Sequence, residues 1–166
     1  MTNIRRTERV LLGAVFTMEA GGSVIFALMG NLQDEFGFND GGLGLIAAAG
    51  FLASFVMQIV IAPFADRGHA KRLLILGTIL AMLGNALFAV GSSLIVFIFA
   101  RLVSGAASGL FIPPARALIA SLDDEGVSER LGAMGGVSLA GFVTGPVIGG
   151  FLVGPLGLRW PFVLFS

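Results

Sequence analysis

The stretch LGAMGGVSLAGFVTGPVIGGFLV, residues 131–153, contains 23 residues and no charged side chain. As an α-helix rising 1.5 Å per residue, it is long enough to cross the roughly 30 Å hydrocarbon core of a bilayer. Gly141, Gly145 and Gly149 recur every four residues within it and therefore share one helix face. Pro146 removes a backbone hydrogen bond, which predicts a kink. The stretch therefore predicts a kinked membrane-spanning helix with a small-residue packing face.

Four further apolar runs precede this one, at residues 10–30, 42–65, 73–91 and 94–115, and a sixth begins at residue 160 and reaches Ser166. Only 12% of the residues are charged, against about 25% in ordinary soluble domains. A cleaved signal peptide is the rival interpretation of the first run. Its 21 residues exceed the usual signal-peptide core of about 7–15, so we interpret it as an uncleaved helix. The sequence predicts an all-α membrane protein with five complete transmembrane helices and the start of a sixth.

The distribution of basic residues predicts the orientation of these helices. With the N-terminus inside, eight of the ten Lys and Arg residues are cytoplasmic, Arg159 is outside and Arg101 is within a helix. The cytoplasmic eight are Arg5, Arg6, Arg9, Arg67, Lys71, Arg72, Arg116 and Arg130. Because positive residues favour cytoplasmic loops, we expect a multi-pass cell-membrane protein with a cytoplasmic N-terminus.

The composition also excludes several classes of function. The net charge is zero, so nothing indicates nucleic-acid binding, and the absence of cysteine excludes disulfides and thiolate metal sites. His69 is the only histidine and lies in a charged loop, so no nucleophile–base pair of an enzyme is evident. The acidic loop at residues 121–130 is interpreted as solvated rather than metal-binding. We expect neither enzymatic activity, nor a metal, nor a bound cofactor.

Two ionisable residues, Glu19 and Arg101, fall inside the apolar runs. Glu19 lies about 14 Å from the cytoplasmic end of the first run, and Arg101 about 10 Å from the outer end of the fourth. Charges at such depth are costly and usually face a protein interior or a watery cavity. We expect Glu19 to carry a proton and Arg101 to tune it, by direct or water-bridged contact. The alternative is a glutamate with only a packing role.

The loop between the second and third runs, APFADRGHAKRLL at residues 62–74, resembles the G-x-L-A-D-R-x-G-R-K-x-x-L motif of the major facilitator superfamily. The matching residues are Ala65, Asp66, Arg67, Lys71 and Leu74, and the departures are Ala62, Phe64, His69 and Ala70. In that family the motif braces two helical bundles at the cytoplasmic gate. The resemblance assigns this role to Asp66, Arg67 and Lys71, although Ala70 removes the second arginine of the motif.

Two further motifs support the resemblance. Arg101 and Gly105 reproduce the family's helix 4 pattern, in which the arginine is linked to proton transfer, and Gly109 continues its small face. The segment G-x-x-x-G-P-x-x-G-G is similar to the helix 5 motif of the family's antiporters, which export their substrates. It comprises Gly141, Gly145, Pro146, Gly149 and Gly150. The resemblance is therefore to the drug/proton antiporter branch.

The family fold has twelve helices in two halves with the substrate cavity between them. The resemblance implies that this chain is the N-terminal half, and we expect the helix 5 glycines to pack against a missing C-terminal half. A half-size protein that dimerises is the less favoured alternative. The favoured function is proton-coupled efflux of small amphipathic molecules, with the proton gradient as energy source. The alternatives are an importer or uniporter of a sugar or metabolite, and a non-transporting membrane protein or assembly partner.

Overall fold

The chain folds into a bundle of α-helices in a computed structural model that describes residues 2–64, 68–123 and 126–166. The described residues contain no β-strand. The helices are α1 (Thr2–Ser23), α2 (Ile25–Phe36), α3 (Asp40–Phe64), α4 (Ala70–Val90), α5 (Leu94–Ala120), α6 (Val127–Leu156) and α7 (Trp160–Leu164).

The helices α1 and α2 together form the first membrane span. They meet at Val24, whose N–H still donates to the carbonyl of Ala20 at 3.1 Å, so the backbone bonding continues through the junction. With Ile4–Phe36 taken as one unit, five helices are long and apolar enough to cross a membrane. This confirms the predicted fold class of five complete transmembrane helices. Most of the helices are a few residues longer than the apolar runs, because helical backbone hydrogen bonds continue into the polar residues on either side.

The longer helices pack around α5, which contacts α1, α3, α4 and α6, while α6 also packs along α1 and α2. The approach of α3 to α5 is very close, because a β-carbon built on Gly105 would overlap the backbone carbonyl of Gly50. Small residues permit such contacts between helices in a membrane, where dispersion forces hold the helices together.

An aromatic cluster joins the helix ends on the side of the α2–α3 connection. Its ring centroids lie 4.8–5.8 Å apart, in stacked and edge-to-face pairs. The members are Phe36, Phe38, Phe88, Phe97 and Phe162. Large apolar side chains such as Phe55, Ile95 and Phe151 are exposed on the outside of the bundle, a surface suited to lipid.

A polar cavity with unpaired charges

A cavity of about 280 Å³ lies in the bundle and is lined by residues of all six helices from α1 to α6. Its polar lining is unusual for the inside of a membrane span, because buried polar groups need partners and charged groups are costly there. The polar residues at the cavity are Glu19, Ser54, Gln58, Asn85, Arg101, Ser104, Ser108, Arg116 and Ser138. The cavity is the candidate functional site.

Arg101 is the most deeply buried charge in this lining, with only 6% of its surface exposed. Its Nη1 atom donates to the backbone carbonyl of Gly22 at 2.7 Å, and its guanidinium lies 5.5 Å from the ring centroid of Phe26. Its Nε atom is buried and has no hydrogen-bond partner among the described residues. Gly50 makes room for the guanidinium, since a β-carbon there would lie 2.6 Å from Nη2.

Glu19 lines the same cavity and is half-buried. The groups that act on its carboxylate are the Ser138 side chain of α6 and the positive charge of Arg116 in α5. Within the described part of the chain, no carboxylate lies at ion-pair distance from Arg101, which bonds to a backbone carbonyl instead. Of the two expected forms of contact between Glu19 and Arg101, the direct one is therefore not formed, and the water-bridged one stays a prediction.

Three phenylalanines lie at the Arg101 side of the cavity. The Phe26 ring stacks on Phe51 of α3 at 5.8 Å and meets Phe142 of α6 at 5.7 Å. Since Phe26 also lies beside the Arg101 guanidinium, one aromatic surface adjoins the buried cation. The cavity thus offers an apolar platform next to a positive charge.

The helix 5 glycines pack inside the bundle rather than against another half. β-Carbons on Gly141 and Gly145 would collide with the backbone carbonyls of Phe16 and Ala20 in α1, and one on Gly149 would meet Val24 at 2.8 Å. The expectation that this face packs against a C-terminal half was therefore wrong. Gly141, Gly145 and Gly149 are four residues apart, as are Phe16, Ala20 and Val24, the residues of the first span that they contact. Pro146 lies within α6, and Gly150 is exposed with no neighbour within 4 Å.

The remaining residues that the sequence predicted to be functional are not among the described residues that line the cavity. Gly109 is buried against Met57 and Ser54 of α3, as expected of a packing face. Lys71 is exposed at the second position of α4. Asp66 and Arg67 lie outside the described residues.

Sequence reasoning did not place Ser138 or Arg116 in the cavity lining. Arg116 was counted only as a cytoplasmic positive charge just after the fourth run, whereas α5 continues to Ala120 and Arg116 lines the cavity. The spacing of Arg116 along the sequence could have indicated its position. It is separated from Ser104 and Ser108 by multiples of four residues, so the three side chains share a helix face with Arg101. Ser138 had no comparable signal, since hydroxyls are common in membrane helices.

Comparisons with known proteins agree with this architecture. The family model described as Major Facilitator Superfamily matches residues 11–166. Multidrug resistance protein 2 of Bacillus subtilis (strain 168) is 30% identical over 164 residues, which is 95% of this chain and 39% of that protein. Quinolone resistance protein NorA of Staphylococcus aureus (strain N315) is 29% identical over 158 residues, or 92% of this chain and 39% of that protein.

The chain thus spans about 39% of the length of the curated relatives that it matches. The family match, by contrast, covers nearly the whole of the chain, with four membrane-length helices complete and the first from residue 11. This multi-pass membrane protein belongs to the Major Facilitator Superfamily, a family of carriers.

Proposed function

We propose that the chain is the N-terminal bundle of a proton-coupled transporter that exports small amphipathic molecules by alternating access. The main support for this proposal is Glu19, which is half-buried in a polar cavity of the membrane-spanning bundle. The groups that act on its carboxylate are the side chains of Ser138 and Arg116. An ionised carboxylate at this depth is costly, and Arg116 and Ser138 are the groups that reduce this cost. A small movement of α5 or α6 relative to α1 would change this balance, so that Glu19 takes up or releases a proton.

The direction of transport is supported by the relatives. Both similar proteins are named for resistance to drugs, and drug resistance by a membrane carrier is most simply achieved by export. The polar lining of the cavity supports a second helical bundle as partner, because polar and charged groups in a membrane protein need a protein or water surface rather than lipid. The proton gradient is the proposed energy source, with no bound cofactor. The basic-residue count supports a cytoplasmic N-terminus.

The test of proton coupling uses the full-length protein in proteoliposomes with an imposed pH gradient. We expect Glu19→Gln to abolish uphill export while downhill exchange of substrate survives, because the variant keeps the shape of the site and loses the titrating group. Glu35→Gln is the matched control, since Glu35 is exposed near the end of α2. Uphill export by Glu19→Gln with normal proton dependence would place the coupling site elsewhere.

A further inference from the structure

Gly141 brings the backbone of α6 against the part of α1 that carries Glu19. The glycine is buried, and a β-carbon built on it would lie 2.5 Å from the carbonyl oxygen of Phe16 and 3.1 Å from the β-carbon of Glu19. The side chain of Glu19 therefore begins directly at the surface of α6. Both sides of this contact belong to this chain.

Gly145 and Gly149 lie on the same α6 face but meet the first span one and two turns beyond Gly141. The atoms nearest to β-carbons built on these two glycines belong to Ala20, Ser23, Val24 and Leu28. Close packing is thus common to the three glycines, whereas contact with Glu19 distinguishes Gly141.

Ser138 of α6 acts on the Glu19 carboxylate and lines the same cavity. It precedes Gly141 by three residues, so the two share one helix face. A hydroxyl acts on a carboxylate through a hydrogen bond, which weakens steeply once the two oxygens are more than about 3 Å apart. The separation of α1 and α6 at Gly141 therefore governs how strongly Ser138 acts on Glu19.

One methyl group at position 141 is enough to change that separation. Ordinary contacts between nonbonded heavy atoms are about 3.5–4.0 Å long, so α6 would have to move about 1 Å away from the Phe16 carbonyl. The other charged side chains of the described cavity lining, Arg101 and Arg116, are on α5, and the polar lining of α3 and α4 is uncharged. A displacement of α6 at this point therefore reaches Glu19 through Ser138.

We propose that Gly141 is a positioning residue for the proton chemistry of Glu19, because it lets α6 approach α1 closely enough for Ser138 to act on the carboxylate. This inference rests on the proposed function, since it assigns a residue that works through the same carboxylate. Of the three glycines on this face, Gly141 alone then sets the proton affinity of Glu19.

The test measures the protonation of Glu19 in the purified full-length protein, without any gradient. Dicyclohexylcarbodiimide reacts with protonated carboxyl groups in apolar surroundings, and the extent of reaction at residue 19 is read by mass spectrometry of its peptide. The pH at which labelling is half-maximal is compared among variants. Glu19→Gln should give no label at this position.

We expect Ser138→Ala to move this midpoint to higher pH by about half a unit to one unit, because a lost hydrogen bond no longer stabilises the ionised carboxylate. Gly141→Ala should move it in the same direction. The double variant should move it no further than Ser138→Ala alone, because both changes remove the same contact. A merely structural effect of Gly141→Ala would instead add to that of Ser138→Ala.

Gly145→Ala is the matched control, since it overpacks the same pair of helices one turn away from Glu19. It should lose stability and keep the wild-type midpoint. Ser138→Thr keeps the hydroxyl and should also keep a midpoint near that of the wild type, so the contact is tested even if Gly141→Ala does not fold.

The outcomes separate this inference from the proposed function. A wild-type midpoint in Ser138→Ala or in folded Gly141→Ala would overturn the positioning role. An equal shift in Gly145→Ala would also overturn it, because any loosening between α1 and α6 would then change Glu19. Shifted midpoints in a protein whose uphill export survives Glu19→Gln would support the positioning role and contradict only the coupling role of Glu19.

Discussion

Gly145 shows at the scale of one residue why the bundle requires glycine in α6. The space that a side chain would occupy is filled by the Ala20 carbonyl and the Ser23 hydroxyl of α1. Backbone cannot move aside as the end of a flexible side chain can. We expect Gly145→Ala to lower the stability of the purified protein by about 1–3 kcal/mol, the usual cost of overpacking, seen as a lower thermal midpoint in detergent.

The control for Gly145→Ala is Gly150→Ala in the same helix. Gly150 is exposed and a β-carbon there meets nothing within 4 Å. Because alanine is favoured over glycine in helices by roughly 0.5–1 kcal/mol, this substitution should leave stability unchanged or slightly raised. Equal thermal midpoints for the two variants would show that α6 does not pack closely on α1.

Among the helices, α6 contains a proline, Pro146, in the turn that follows the cavity residue Phe142. Pro146 cannot donate to the carbonyl of Phe142, the residue whose ring meets Phe26 in the cavity. We expect Pro146→Ala to restore that bond and, by changing the local helix geometry, to displace the Phe142 ring. The folded protein should persist while the initial rate of substrate export by the full-length transporter falls several-fold.

Pro155 provides the comparison, since it lies in the same helix but only one residue before its end and away from the cavity. Pro155→Ala should export at the wild-type rate in the same assay. If Pro146→Ala exports as fast as Pro155→Ala, the backbone hydrogen bond missing at Pro146 has no part in the transport cycle.

At the scale of the whole molecule, the orientation in the membrane is open to direct measurement. These 166 residues contain no cysteine, so none among them has to be removed before single cysteines are introduced. We expect Glu35→Cys to react with an impermeant thiol reagent in intact cells and Ser128→Cys to react only after permeabilisation. Both positions are exposed, at opposite ends of the bundle. Asn39 is unsuitable for this purpose, since its Oδ1 accepts from the Gly42 N–H at 2.8 Å at the start of α3. The reverse labelling pattern would overturn the N-in orientation.

The sequence by itself determined the class of this protein and its membrane spans. Apolar runs of about 20 residues are decisive, because no other structure satisfies every backbone hydrogen bond within lipid. The four-residue glycine spacing of 141, 145 and 149 likewise determined that α6 has a small packing face. Glu19 and Arg101 stood out as functional candidates because charges are rare inside membrane spans.

The contacts of these residues became visible only once the helices were packed together. The tertiary structure placed the α6 glycines on the first span, bonded Arg101 to the Gly22 carbonyl, and set Ser138 and Arg116 beside Glu19. Periodicity specifies which residues share a face of one helix, but the partner of that face depends on how the helices cross and rotate. Those angles arise from side-chain packing among several helices at once, which spacing along a single chain does not encode.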